Sequence, residues 1–257
     1  MDSLSLMENK LTMAKLKMPQ PEENGFIPTL NQMGYMTSSL DPFSQEFVNH
    51  AGKFPLEKSM EIGAAYGVAT IEALKKGAQI IANDLEEKHL HILRERTPEA
   101  LREKLSLLPG SFPEDIDTEE GSLKALLICR VLHFFNEERL SLALKKIYSW
   151  ICPGGKVFIV AETPYLKNFG PFIPIFEKRK KEGMELPGFI DDVMEIDPVR
   201  GRSLPKQMMV FDKDVLSSIF KNSGFIIERC EEFARPEFPK DLQFDGRESV
   251  GLVARRP

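Results

Sequence analysis

The residues best suited to chemistry lie in one short run, Glu61-Ile62-Gly63-Ala64-Ala65-Tyr66-Gly67. It follows an apolar stretch from Ser59 and precedes a segment of helical composition, 68–76. Small residues at 63, 65 and 67 let the backbone turn tightly and approach a ligand closely. The helix that follows offers free backbone N–H groups at its start. Glycine turns also serve packing alone, so a second feature matters. Asp84 stands 21 residues after Gly63 and closes the next apolar run, Gln79-Ile80-Ile81-Ala82. A carboxylate there can accept both hydroxyls of a ribose, as in the mononucleotide half of a doubly wound fold. A dinucleotide fingerprint would need glycines at 63, 65 and 68; Ala65 and Val68 make that match poor.

These groups must be held by a regular framework, and the chain is punctuated accordingly. Strands are expected at 59–62, 79–82, 105–108, 123–129, 156–160, 225–229 and 249–254. Helices are expected at 68–76, 86–96, 137–150 and 212–222, with a short one opened by Thr97-Pro98. The turn Pro153-Gly154-Gly155 precedes the fifth strand. Alternating strands and helices imply crossover connections and a mainly parallel sheet covered on both faces. The last two strands are joined by a loop too short for a crossover helix, so they form an antiparallel hairpin. Residues 163–210 break the rhythm with interleaved prolines and phenylalanines, among them Phe169, Phe172, Phe176 and Phe189. They are an insertion after the fifth strand. Leu4, Met7, Leu11, Ala14 and Met18 recur at helical spacing, which suggests an amphipathic helix in a cap segment, 1–30, ahead of the main domain, 31–257.

Composition bounds the rest. The chain has 257 residues, 42% hydrophobic and 28% charged, which suits one large domain and excludes a disordered or fibrous chain. No stretch approaches the ~20 apolar residues of a membrane helix. The first residues include Asp2, Glu8 and Lys10 without an apolar core, so no secretory signal is expected. A net charge of −5 argues against a nucleic-acid partner. Cys129, Cys152 and Cys230 are far apart and form no CxxC pair, which points to a reducing cytoplasm. No carboxylate–histidine cluster has metal-ligand spacing, so no metal is expected.

The pattern acid-x-Gly-x-small-x-Gly resembles the first motif of class I S-adenosylmethionine-dependent methyltransferases. Asn83-Asp84-Leu85 is similar to that family's second motif. Ile128-Cys129-Arg130-Val131-Leu132-His133-Phe134 resembles the segment after its fourth strand, and Cys152-Pro153-Gly154-Gly155-Lys156-Val157 the turn before its fifth. Asp214 to Phe225 resembles the helix and Gly-Phe turn before its sixth. The likeness covers roughly 30–162 and 211–254. It implies a Rossmann-like, doubly wound α/β fold with a seven-stranded, mostly parallel sheet. It also implies S-adenosylmethionine as cofactor and S-adenosylhomocysteine as product.

Roles follow from the resemblance position by position. Gly63, Ala65 and Gly67 would lie along the methionine and ribose. Glu61 would steady the turn near the cofactor's ammonium group. Asp84 would hold the ribose hydroxyls, with Leu85 against the adenine and Ser111 and Phe112 bordering it. Arg130 would face the methionine end, or else be a surface arginine. Tyr35 would touch the cofactor carboxylate, or else be a core tyrosine. Many relatives have an Asp where this chain has Ser111, and a small or amide residue where it has Arg130. Methyl transfer needs alignment and sometimes a base. The base candidates are His133, Glu162 and Tyr165, at or just past the strand C-terminal ends; for His133 a structural role competes. His89 and His91 are expected on a solvated helix face. No Asn/Asp-Pro-Pro-aromatic run and no Pro-Cys nucleophile is present, which disfavours DNA-methylating subclasses. The insertion 163–210 is expected to cover the crevice beside Tyr35, Arg130 and Tyr165 and to shape an apolar wall for a small organic acceptor. Its run Lys178-Arg179-Lys180-Lys181 is either a solvated helix face or a contact for an acidic partner. A protein substrate and a non-catalytic cofactor-binding module are the alternatives.

Overall fold

The computed structural model describes residues 16–257. Seven strands form its central sheet: β1 (Lys58–Ile62), β2 (Gln79–Asp84), β3 (Leu105–Pro109), β4 (Leu123–Cys129), β5 (Ile151–Glu162), β6 (Ile226–Phe233) and β7 (Ser249–Arg255). Their spatial order is β6-β7-β5-β4-β1-β2-β3. Neighbours from β3 to β5 pair parallel, and β7 runs antiparallel to both β5 and β6. The expected fold is the observed one. Strand order reverses between β1 and β4, and a crevice at such a switch point, beyond the strand C-termini, is where open α/β sheets take ligands.

Alternation along each central strand builds two cores. Ala125, Leu127, Phe158 and Val160 join the cluster of α1 (Pro42–Gly52) and α2 (Val68–Lys75). Leu126, Ile128, Val157 and Ile159 join the cluster of α4 (Glu137–Trp150) and α6 (Lys213–Asn222) on the other face. Helix α3 (Glu87–Arg96) buries Leu90 and Leu93 against Ala64 and Ala82. The turn at Pro153-Gly154-Gly155 is a bulge inside a longer strand. Register passes from Leu123↔Ile151 to Ala125↔Lys156, so β5 advances five residues while β4 advances two.

No element is expected from sequence across 26–58, yet α1 lies there. Asp41 caps it, its Oδ1 accepting from Phe43 N at 2.9 Å and Ser44 N at 3.0 Å, and Pro42 opens it. Ahead of it, Ile27–Pro28 and Tyr35–Met36 pair as a small antiparallel hairpin. The expected N-terminal helix falls largely on 1–15, outside the described residues. Leu16 and Met18 pack on Ile27, Tyr66 and Ile92.

The insertion carries α5 (Ile173–Lys181) and a two-residue pairing of Phe189–Ile190 with Met208–Met209. Phe169, Phe172 and Phe176 join the core on the α4–α6 face. Lys180 pairs with Asp212 and, at 2.7 Å, with Asp214, while Arg179 donates to Phe189 O at 2.6 Å. Lys180 therefore fastens the insertion to the start of α6, while Arg179 braces it internally.

Helix α1 approaches the sheet where β7 has no side chain. A Cβ on Gly251 would lie 2.1 Å from two ring atoms of Phe43. Gly251→Ala is expected to cost about 1–3 kcal/mol of stability, the range for overpacking a filled core, read from the urea midpoint at unchanged slope.

Candidate active site

A cavity of about 380 Å³ opens at the C-terminal ends of β1, β2 and β4. Its floor is the turn after β1, its sides are the segments after β2, β3 and β4, and residues 29–44 complete the wall.

The turn is conformationally exacting. Gly63, Ala65 and Gly67 all have positive φ, at 71°, 44° and 81°. A Cβ at 63 would lie 2.4 Å from Val131 Cγ2, so its glycine is needed for contact within the protein as well as for backbone freedom. Gly67 does not line the cavity; it precedes α2 and faces Leu93. Ala65 N donates to Asp84 Oδ2 at 2.9 Å. The carboxylate that sequence assigns to a ribose thus also fastens the glycine turn. Asp84 Oδ1 accepts from Glu86 N at 2.9 Å and meets His89 Nδ1 at 3.0 Å. The far nitrogen of that ring, Nε2, accepts from Leu30 N at 3.0 Å.

His89 is thus a correction to the sequence reading. It is 1% exposed, on the buried face of α3, because both its nitrogens find partners. Glu61 lies buried on the cavity wall and accepts from the Thr70 hydroxyl. Burial raises its pKa to about 7 against the hydrogen bond from Thr70, with smaller upward contributions from the Asp84 and Asp41 charges.

Arg130 is no ordinary surface arginine. Its backbone is left-handed (φ 59°) and its side chain is 19% exposed. Nε donates to Glu162 Oε1 at 2.6 Å and Nη1 to Tyr35 O at 3.3 Å. The guanidinium lies 5.8 Å from the Phe26 ring centre and 5.3 Å from that of Phe238. Tyr35 lines the cavity and stacks 5.5 Å from Phe26.

Leu85, Ser111 and Phe112 also line the cavity. Sequence reasoning missed Arg139 beside them. Its Nη2 donates to Phe112 O at 2.8 Å and Ser111 Oγ at 3.1 Å, and its Nε to Glu114 Oε1 at 2.6 Å. Asp41 and Cys129 were missed as well; the Cys129 thiol approaches Asp41 Oδ2 at 3.7 Å. The Asp-Pro pair at 41–42 is a helix-start signal that would have found α1.

The three base candidates separate. His133 lines the cavity, 4% exposed, with its pKa lowered to about 4 by burial; its Nδ1 has no hydrogen-bond partner among the described residues. Glu162 and Tyr165 are not brought to the cavity wall. Burial would raise the Glu162 carboxyl, but Arg130, with His133 and Arg235, holds it below its ordinary value. The Tyr165 hydroxyl donates to Glu177 at 2.6 Å, and its ring lies 3.6 Å beneath the Arg247 guanidinium. Both are committed to polar partners, Glu162 to Arg130 and Tyr165 to Glu177. The insertion, expected over the cavity, contributes Leu204 alone to its wall among the described residues. Most of its apolar side chains are spent on the core, and the cover comes from the hairpin and the chain leading to α1.

Residues 60–155 match the model of a methyltransferase domain family. No curated protein matches the chain in sequence. Among solved structures it is similar to an S-adenosylmethionine-dependent methyltransferase from Mesorhizobium loti, with 17% identity and a TM-score of 0.59 over 84% of this chain and 96% of that one. A methyltransferase from Methanosarcina mazei gives 15% and 0.58 over 85% and 98%. The 1,6-didemethyltoxoflavin-N1-methyltransferase of Burkholderia thailandensis gives 14% and 0.55 over 84% and 78%. Residues 60–155 therefore match a methyltransferase domain, and the fold around them is that of these S-adenosylmethionine-dependent methyltransferases.

Proposed function

We propose that the chain transfers a methyl group from S-adenosylmethionine to a small organic acceptor. The observation that carries this reading is the Asp84 carboxylate at the switch point, bonded to the glycine turn and open to the cavity. The charge balance agrees. Asp41, Glu61 and Asp84 line the cavity, whereas its two arginines are each paired, Arg130 with Glu162 and Arg139 with Glu114. A cofactor carrying an ammonium and a sulfonium suits such a wall.

When bound, S-adenosylmethionine supplies a methyl group on positively charged sulfur, so the protein's task is alignment. Asp84 would hold the ribose through the lone-pair site that Ala65, Glu86 and His89 leave open on Oδ2. Leu85, Ser111 and Phe112 flank the adenine, and the turn from Gly63 to Gly67, through the backbone at Gly63 and Ala65, follows the rest of the cofactor. Glu61 faces the ammonium group, while Tyr35 and Arg130 stand at the methionine end. His133, neutral at physiological pH, accepts a hydrogen bond from the acceptor's O–H or N–H and takes the proton that becomes acidic as the methyl arrives.

A cavity walled by the hairpin suits a small acceptor better than a protein surface, and the 1,6-didemethyltoxoflavin bound by the Burkholderia neighbour is of that class. The basic run that could have received an acidic partner is largely engaged within the chain. Three free cysteines accord with a reducing cytoplasm.

Asp84→Ala is expected to weaken S-adenosylhomocysteine binding by about 1.5–3 kcal/mol, the value of a hydrogen bond to a charged group; an unchanged calorimetric dissociation constant would remove Asp84 from the site. Glu61 gives a pH signature. Its folded pKa, about 7, exceeds the ordinary 4.5, so between these values the native protein binds more protons than the unfolded one. The stability this group contributes is therefore greatest below about 4.5 and falls as pH rises to about 7. Urea titrations should show that decline in the ligand-free protein and a flatter profile in Glu61→Gln. Binding of a cationic cofactor favours the ionised carboxylate, so affinity for S-adenosylmethionine should increase through the same interval with release of a proton. His133→Phe should lower kcat by ~100-fold or more with the KM for S-adenosylmethionine nearly unchanged. Labelled methyl groups should enter a metabolite extract; incorporation into protein alone would overturn the small-acceptor reading.

A further inference from the structure

His89 lies outside the residues that the fold's motifs single out, and no step above uses it. It is nevertheless 1% exposed and bonded on both sides of its ring. The Leu30 amide points its hydrogen at Nε2 from 3.0 Å, so that nitrogen must present a lone pair. The ring proton of the neutral imidazole then sits on Nδ1 and donates to Asp84 Oδ1 at 3.0 Å. Leu30 follows Pro28, the end of the first hairpin strand, and the hairpin is tied to the motif turn a second time, where the Tyr66 hydroxyl donates to Pro28 O at 3.0 Å. Tyr66 and His89 meet edge to face at 5.1 Å. One imidazole therefore joins the hairpin that walls the cavity to the carboxylate on its floor.

We propose that His89 is a positioning residue that couples docking of the 27–36 hairpin to the ribose-binding carboxylate of Asp84. The inference rests on the reading of Asp84 given above. A hairpin seated on Nε2 fixes the ring, and the fixed ring directs Asp84 Oδ1, leaving the carboxylate's one open lone-pair site, on Oδ2, in a set direction for a ribose hydroxyl. A ligand held by Asp84 reinforces the same chain in reverse, as coupling between sites is reciprocal.

The test begins with the unmodified protein. Nitrogen NMR of ¹⁵N-histidine-labelled enzyme should show His89 as the Nδ1–H tautomer; an Nε2–H tautomer would overturn the proposal. S-adenosylhomocysteine should slow exchange of the Leu30 amide. His89→Phe keeps the ring and removes both nitrogens. It should raise the dissociation constant for S-adenosylhomocysteine about tenfold, the effect of one hydrogen bond to a charged group, and abolish the ligand's effect on Leu30. Because both residues act in one chain of contacts, Asp84→Ala with His89→Phe should bind no more weakly than Asp84→Ala alone. His89→Asn, whose amide can replace Nδ1–H but not reach Leu30, should recover only part of the affinity while Leu30 stays unprotected, which also serves if the Phe variant folds poorly; full recovery without Leu30 would overturn the coupling. Wild-type affinity in His89→Phe, with loss in Asp84→Ala, would sink the coupling and leave the cofactor reading standing. Wild-type affinity in both would sink the cofactor reading and the coupling with it.

Discussion

Three N–H donors converge on one carboxylate: Ala65 from the glycine turn, Glu86 from the chain entering α3, and the His89 ring. Each comes from a different part of the crevice, and Asp84 sets their separation. A carboxylate that accepts several hydrogen bonds is held in one orientation. The strained turn, with three residues at positive φ, is held open as a cradle because its middle amide is tied to a group on the adjacent strand. The group proposed to bind the ribose is therefore also the one that holds the turn.

Around it, charge is arranged in layers. The acids nearest the motif turn are held by backbone amides and hydroxyls, which leaves negative potential available to a cation. The arginines are compensated by carboxylates placed behind them. Arg130 is bound to Glu162, whose second oxygen meets the Ser249 hydroxyl at 3.4 Å; the same hydroxyl accepts from Arg235 at 3.2 Å. Arg235 in turn reaches Glu237 at 2.6 Å and lies 4.4 Å from the Phe238 ring centre. Buried ions are costly unless each has a partner, and here each arginine has one. That requirement explains why Glu162, attractive as a base from its place at a strand end, is occupied.

The wall of the cavity comes from ahead of the sheet. An insertion rich in proline and phenylalanine looks like a lid, since neither residue completes a strand. Its aromatic side chains instead find the exposed edge of the α4–α6 core, where burial removes more apolar surface from water than a mobile cover over a polar crevice would. The hairpin packs Ile27 on Tyr66 and Ile92 and is fastened by hydrogen bonds to Tyr66, His89 and Arg130.

Much of this molecule is readable from residue order. Apolar runs of strand length, capped helices and glycine turns are local signals, and they were enough for the sheet, its parallel core, the last hairpin, the motif turn and the acid at the end of β2. The likeness to a known family, rather than these signals, singled out Tyr35, Leu85, Ser111, Phe112 and Arg130, which the fold gathers with Glu61, Gly63, Ala65 and His133 around one cavity. Tertiary structure alone decided what each polar side chain is spent on. The partners of Arg130 lie 32 and 95 residues away in sequence, and that of His89 Nε2 lies 59 away. No periodicity encodes such pairs. A side chain's availability depends on which charge or amide the fold sets beside it, and that is fixed only when distant segments meet.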